Sequence, residues 1–119
     1  MSIENIGKET TDCIDLNDAL KRLGGNMGLY KQLLGRFDGD AYLETIEQAC
    51  QSNDREKAAH SAHALKGVSA NLSLEKLKVA AVEFEGALES GDQCDDSITK
   101  LKESLKETKE CIAAIIASS

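Results

Sequence analysis

Residues 58–72 read AAHSAHALKGVSANL, and the pattern of this stretch is the strongest indication of a helical fold. Small and apolar side chains recur in it at intervals of three or four residues, at Ala58, Ala62, Leu65, Ser69 and Leu72. This spacing places them on one face of an α-helix, and its heptad-like rhythm is typical of helices that pack side by side. The stretch therefore predicts a helix that buries one face in a bundle.

The sequence before this stretch shows the same helical spacing and contains no proline. Asp15 and Asn26 are typical N-cap residues, and the Gly24-Gly25 pair between them is typical of a helix end. Together they predict a short first helix and then a second helix that is capped by Asn26 and carries an apolar face from Tyr30 to Ala49. A break in that second helix near residues 38–40 is left open, because two glycines weaken it there.

The sequence after residue 50 predicts three more helices. Asn53 and Glu56 have the spacing of a capping box and predict the start of the third helix. Ser73 is expected to cap the fourth, whose inner face carries Leu74, Leu77, Ala81, Phe84 and Leu88. Asp95 is expected to open the fifth, whose inner face carries Ile98, Leu101, Leu105, Thr108, Ile112 and Ile115.

These elements predict an all-α fold without a sheet. Short connections make consecutive helices antiparallel neighbours, so we expect an up-down four-helix bundle with the short first helix lying across one end. Residues 1–14 are polar and lack a period, and we expect a flexible lead-in there. Residues 15–117 are then one helical domain.

Charge and composition exclude several classes of protein. The chain carries a net charge of −7, has two tyrosines and two phenylalanines, and contains no basic run, so a nucleic-acid partner is not expected. It contains no apolar stretch of the ~20 residues that span a membrane, and its first residues do not resemble a signal peptide. We therefore expect a cytoplasmic protein that does not contact a membrane, and its negative charge favours a monomer.

The common motifs of metal and nucleotide sites are absent as well. Cys13, Cys50, Cys94 and Cys111 are scattered without a CxxC pair, which argues against a zinc ribbon or a dense disulfide scaffold, and most are expected to be small hydrophobic residues. His60 and His63 could form half of a metal site, but no further ligand follows at a suitable spacing. We expect neither a metal nor an intrinsic cofactor, and the chain lacks a phosphate-binding glycine loop.

One histidine of the quoted stretch has an unusual setting. At 100° per residue, His63 lies opposite the apolar face, and its helical neighbours Ala59, Gly67 and Ala70 have small side chains or none. A glycine inside an exposed helix lowers the stability of the helix by roughly 1 kcal/mol relative to alanine. The presence of Gly67 one turn from His63 therefore needs a reason. Access of a partner to the imidazole is such a reason, and Lys66 could neutralise an anion held there.

Residues 62–67, AHALKG, resemble the AHxLKG hallmark of the histidine phosphotransfer (HPt) domains of bacterial phosphorelays. The resemblance extends over nearly all of residues 14–117. It implies that His63 carries a phosphoryl group, that Lys66 stabilises the group electrostatically, and that Gly67 leaves room for a partner. The family commonly has glycine after the Asn-Leu pair, where this chain has Ser73, and this departure concerns the junction between two helices.

The resemblance also implies a function. His63 would accept a phosphoryl group from the phospho-aspartate of a response-regulator receiver domain, which supplies Mg²⁺, and would pass it to a second receiver. A hybrid histidine kinase would stand upstream, and the chain itself would be a carrier without autonomous kinase activity. We expect Ala59, His60 and Ala70 to contact the receiver, with His60 dispensable for transfer. The alternative is a helical adaptor that docks receivers without exchanging phosphate.

Overall fold

A computed structural model describes residues 13–118, so the lead-in expected at residues 1–14 lies outside the described residues except for its last two positions. The described part contains helices and turns and no strand, as predicted. Its six helices are α1 (Leu16–Arg22), α2 (Met27–Arg36), α3 (Gly39–Gln51), α4 (Arg55–Asn71), α5 (Glu75–Glu89) and α6 (Cys94–Ala117).

The break near residues 38–40 is real, and the predicted second helix is two helices, α2 and α3. Phe37 is extended, and the Asp38 side chain accepts a hydrogen bond from the Ala41 N–H at 3.1 Å, so a new helix starts here. Gly39 is buried, and a Cβ atom at this position would lie 2.5 Å from Leu105 Cδ1. The glycine therefore allows the start of α3 to approach α6 closely.

Two predicted helix caps are confirmed. The Asp15 side chain accepts a hydrogen bond from the Asp18 N–H, and the Asn26 side chain accepts one from the Leu29 N–H, each at 3.0 Å. Between them Gly24 and Gly25 adopt φ angles of +63° and +82°, the left-handed conformation that ends a helix and that glycine adopts without strain.

Three other predicted starts are wrong by one or two residues. Asn53 and Ser73 do not cap helices, because both adopt positive φ angles, of 57° and 59°, and form the turns before α4 and α5. Asp54 caps α4 instead, by accepting a hydrogen bond from the Lys57 N–H at 3.1 Å. The last helix begins at Cys94, one residue before Asp95. Helix α5 begins without a side-chain cap.

The helices pack as a bundle. Helices α3, α4, α5 and α6 contact one another in the order α3–α4, α4–α5, α5–α6 and α6–α3, while α2 packs on α6. All the inner residues predicted for α5 and α6 are buried in one core. Cys13 and Ile14, which precede α1, belong to this core too, and the Asp15 N–H donates a 3.0 Å hydrogen bond to the Ser73 carbonyl.

The cysteines depart from the expectation that most of them are small hydrophobic residues. Cys50, at the end of α3, and Cys94, at the start of α6, form a disulfide with their Cα atoms 5.6 Å apart. The other two, Cys13 and Cys111, are free thiols. A cross-link that closes 44 residues of chain restricts the unfolded state and so stabilises the packing of α3 against α6.

None of the helices in the described part is both long and apolar enough to cross a membrane. Side chains of histidine, cysteine, aspartate and glutamate do not gather there in groups of three or more that could hold a metal ion.

Candidate functional site

Helix α4 positions the candidate site by burying one face. Ala58, Ala62 and Leu65 have no exposed surface, and Ser69, which follows them on the same stripe, has none either. These residues fix the rotation of α4 about its axis, because turning it by one residue would expose the stripe to water. His63 therefore lies on the opposite, outer face, with 62% of its side chain exposed.

Helix α5 runs antiparallel to α4 and supplies the nearest polar partner of His63. At one end of the pair the Arg55 guanidinium donates hydrogen bonds to the carbonyls of Leu88 and Asp92. At the other end the chain reverses through residues 72–74. Midway along the helices, His63 Nδ1 lies 3.4 Å from Oε1 and 3.3 Å from Oε2 of Glu85.

The contact with Glu85 orients the histidine ring. An ionised carboxylate can only accept hydrogen bonds, so it favours the neutral imidazole tautomer with the proton on Nδ1. In that tautomer Nε2 keeps its lone pair. Because Nδ1 faces Glu85, Nε2 is the nitrogen left available to an incoming electrophile, and the arrangement is that of an exposed, oriented nucleophile.

Glu85 is the site residue that sequence reasoning missed. It lies 22 residues after His63 and belongs to no motif around it. A signal was nevertheless present: in an antiparallel helix pair that turns near residue 74, positions equally far before and after the turn face each other. His63 and Glu85 are such positions, and pairing the predicted helices residue by residue would have found the contact.

The other two predicted site residues lie on the same part of α4. Lys66 is half-buried, one turn after His63, and within residues 13–118 its ammonium group has no ion-pair partner. Gly67 is exposed, and a Cβ atom built on it would meet nothing within 4 Å. The chain itself therefore has room for a side chain at position 67, and packing within the bundle does not require the glycine.

The three residues expected to dock a partner are distributed unevenly. His60 is exposed on the outer face of α4. Ala59 and Ala70 are half-buried, and Ala59 packs against the hydrophobic core. Of this set, His60 is therefore the most accessible residue.

The site is thus an exposed imidazole oriented by Glu85 on the outer face of a helical bundle, with a lysine and a glycine in the next turn of α4. The Hpt domain family matches residues 36–117, which is more than half of the chain and includes α3 to α6 with the whole AHALKG stretch. The chain belongs to the Hpt domain family. No curated protein and no solved structure matches it.

Proposed function

We propose that this protein is a histidine phosphotransfer carrier whose phosphoryl acceptor and donor is His63. The observation that carries the proposal is the exposed imidazole held through Nδ1 by Glu85, at the centre of a motif that matches the family's hallmark. The donor is the phospho-aspartate of a response-regulator receiver domain, and the acceptor is the aspartate of a second receiver.

The transfer follows from the orientation of the ring. Nε2 of His63 attacks the phosphorus in line with the bond to the aspartate oxygen, that bond breaks, and the carboxylate leaves. The phosphoryl group is then bonded to Nε2, while the Nδ1 proton stays in its hydrogen bond to Glu85. The positive charge that develops on the ring lies beside the Glu85 carboxylate, which stabilises it. Transfer to the second receiver is the reverse of these steps.

Lys66 stabilises the phosphoryl group, and Gly67 leaves space for the partner. The Lys66 ammonium group, one turn from His63 and without an ion-pair partner among the described residues, neutralises charge on the phosphoryl oxygens. Gly67 leaves the space into which the rim of the receiver's active site fits. The receiver contributes Mg²⁺, and the carrier adds no cofactor of its own.

The finer features predicted from the sequence belong to this proposal. The four long helices α3 to α6 form an up-down bundle, which is supported by the ion pairs that join α3 to α6 from Glu47–Lys102 to Asp40–Lys109. The carrier is a cytoplasmic monomer and a phosphoprotein, receives its phosphoryl group in a relay headed by a hybrid histidine kinase, and does not phosphorylate itself. Ala59, His60 and Ala70 contact the receiver.

The experiment that tests the proposal is to mix the protein with a phosphorylated receiver domain and Mg²⁺ and to measure its intact mass. We expect one phosphoryl adduct that is labile in acid and stable in base, as phosphohistidine is. The adduct disappears in His63→Gln. His60→Gln is the matched control, because it makes the same change at an exposed position one turn earlier, and it keeps the adduct.

The result also separates the carrier from the alternative. A receiver-docking adaptor binds receivers whether or not residue 63 is histidine, so it forms no adduct and tolerates His63→Gln in a binding assay. Binding without an adduct, across a panel of phosphorylated receivers, would therefore replace the carrier with the adaptor. An adduct that persists in His63→Gln would place the acceptor elsewhere on the chain.

A further inference from the structure

The two free cysteines lie next to each other at one end of the bundle. Cys13 belongs to the hydrophobic core against which Cys111 packs, and its thiol is one of the groups that raise the pKa of Cys111. An independent chain of contacts joins the same two places. The Cys13 carbonyl accepts a 3.2 Å hydrogen bond from the Lys76 N–H, and the Lys76 ammonium group pairs with Glu107, one turn before Cys111 in α6.

The four cysteines therefore fall into two pairs, and each pair has one member in α6. Cys94 is the first residue of α6 and is already bonded to Cys50. Cys111 lies near the other end of the same helix, which extends to Ala117. We propose that Cys13 and Cys111 are a second redox pair, which a small-molecule disulfide such as oxidised glutathione converts into a disulfide that fastens α6 at both ends.

The exposure of the two thiols sets the order of the reaction. Cys111 is half-buried and Cys13 is only 5% exposed, so the Cys111 thiolate reacts first. It attacks one sulfur of oxidised glutathione, the disulfide bond of the reagent breaks, and one glutathione thiolate leaves. The Cys13 thiolate then attacks the sulfur of Cys111 in the mixed disulfide, and the second glutathione leaves. Two protein thiols are oxidised, one reagent disulfide is reduced, and the two thiol protons pass to the solvent.

The surroundings of Cys111 slow its reaction with a disulfide reagent at neutral pH. Burial, the neighbouring Cys13 thiol and the carboxylates of Glu107 and Glu110 together raise the pKa of Cys111 to about 12, with burial the largest cause. Thiolate is therefore scarce at neutral pH, although the Lys76 ammonium group, which pairs with Glu107, brings positive charge to this side. As long as the pH stays below the pKa, each increase of one pH unit should raise the rate of oxidation about tenfold, because it raises the thiolate fraction tenfold.

The test uses the full chain with Cys50→Ser and Cys94→Ser, so that Cys13 and Cys111 are the cysteines that remain. Circular dichroism first establishes that this chain is folded. After treatment with oxidised glutathione at pH 9, we expect an intact mass lower by two hydrogen atoms and a Cys13–Cys111 peptide in a non-reducing digest. We also expect the melting temperature to rise by about 5–10 °C, because the new bond closes a long loop.

Two further variants in that background show which thiol reacts first. With Cys13→Ser the reaction stops at a glutathione adduct on Cys111, since no second thiol can displace it. With Cys111→Ser the buried Cys13 stays unmodified. A stable adduct on Cys111 in the chain that keeps both thiols, or two unmodified thiols in the folded chain at pH 9, would overturn the proposal.

A measurement on the unsubstituted chain covers the case in which the serine variant does not fold. The protein is oxidised in its native state, then unfolded in denaturant and alkylated. The two free thiols counted before oxidation should both be lost, with Cys50 still bonded to Cys94 in the digest. Two thiols still open to alkylation would contradict the proposal, and so would pairing of Cys13 or Cys111 with either of the other cysteines.

Discussion

The two faces of α4 contain similar small residues and have opposite roles. On the inner face Ala62 and Leu65 are completely buried, while their neighbours in sequence, His63 and Ala64, lie on the outer face and are exposed. The inner face holds the bundle together by removing apolar surface from water. The outer face contributes little to that packing and presents the His63 imidazole, the proposed nucleophile. One helix thus separates stability from chemistry at adjacent positions.

Because the two faces have separate roles, substitutions on them should have different effects. A change on the inner face should alter the free energy of unfolding and leave the chemistry of the folded protein intact. A change on the outer face should do the reverse. Each variant below therefore needs two measurements, the unfolding free energy and the rate of phosphoryl transfer, and the comparison fails wherever both change together.

The largest effect is expected for Leu65→Ala. Leu65 has no exposed surface, and truncating a buried leucine costs about 3 kcal/mol of unfolding free energy, through lost burial and the cavity that is left. Urea titration followed by circular dichroism measures it. Ala64→Leu on the outer face is the control and should change the unfolding free energy by less than about 0.5 kcal/mol. A transfer rate that falls in the folded Leu65→Ala protein would show that the faces are coupled.

Gly67→Gln should have the second largest effect. The structure leaves open space at position 67, so the bundle accepts the side chain, but the partner has to approach His63 across it. We expect transfer from a phosphorylated receiver to slow about a hundredfold, as misplacement of reacting groups by about 1 Å does. Gly35→Gln makes the same change at an exposed, open position of α2 and should leave transfer unchanged. Equal loss of stability and transfer at position 67 would refute the steric role.

Glu85→Gln tests the contact that orients the ring. A glutamine keeps the shape and can still accept a hydrogen bond, but it loses the charge that stabilises the developing imidazolium. We expect transfer to slow about tenfold, with both tautomers of His63 now visible in the ¹⁵N shifts of its ring. Glu89→Gln, one turn further along α5, is the charge-matched control. If transfer slows while the tautomer of His63 stays the same, Glu85 acts through its charge and does not orient the ring.

The smallest effect is expected at Ser73, in the turn where α4 passes into α5. At its φ of 59°, a residue with a Cβ atom is strained by about 1 kcal/mol, whereas glycine adopts this angle without strain. Ser73→Gly and Ser73→Ala both remove the hydroxyl group, and glycine alone relaxes the backbone. The glycine variant should therefore be the more stable of the two by about 1 kcal/mol in denaturant titrations. Equal stability would mean that the turn is not strained.

The Ser73 hydroxyl group should also affect how the stability of the protein depends on pH. Its 2.8 Å hydrogen bond to Asp18, together with that from Arg22, lowers the pKa of Asp18 below 3.8. A lowered carboxyl pKa adds stability above the unfolded value, and this is lost as the pH falls through the folded value. In Ser73→Ala the pKa of Asp18 should rise toward 3.8 in an NMR titration, and stability should depend less on acid pH. An unchanged pKa would assign the shift to Arg22.

Long-range periodicity made most of the fold predictable. The stripes of α4 and α6 identify buried residues correctly because burial acts on every third or fourth residue along a whole helix. Helix starts were harder. Asn53 and Asp54 are equally good N-caps by residue type, and the choice depends on which of them takes the left-handed turn. Ser73 was misplaced for the same reason, since serine rarely adopts such a φ angle.

The candidate site was predictable only in part. The outward direction of His63 follows from the stripe on its own helix, and the structure agrees with it. Its contact with Glu85 depends on how two helices are paired, and the disulfide between Cys50 and Cys94 depends on how the first and last of the long helices meet. Such contacts between elements leave no periodic trace in either segment. The first could have been found by pairing the two predicted helices about their short turn, whereas the disulfide became visible only in three dimensions.

The hairpin of α4 and α5 also has a consequence for the order of folding. Both halves of the site, His63 and Glu85, lie on consecutive helices, whereas joining α3 to α6 brings together residues 44 positions apart. Shorter loops close with less loss of chain entropy, so nearby helices pair first. During synthesis the chain therefore possesses both halves of its site once residue 89 has emerged, before the final helix exists to complete the core beneath it.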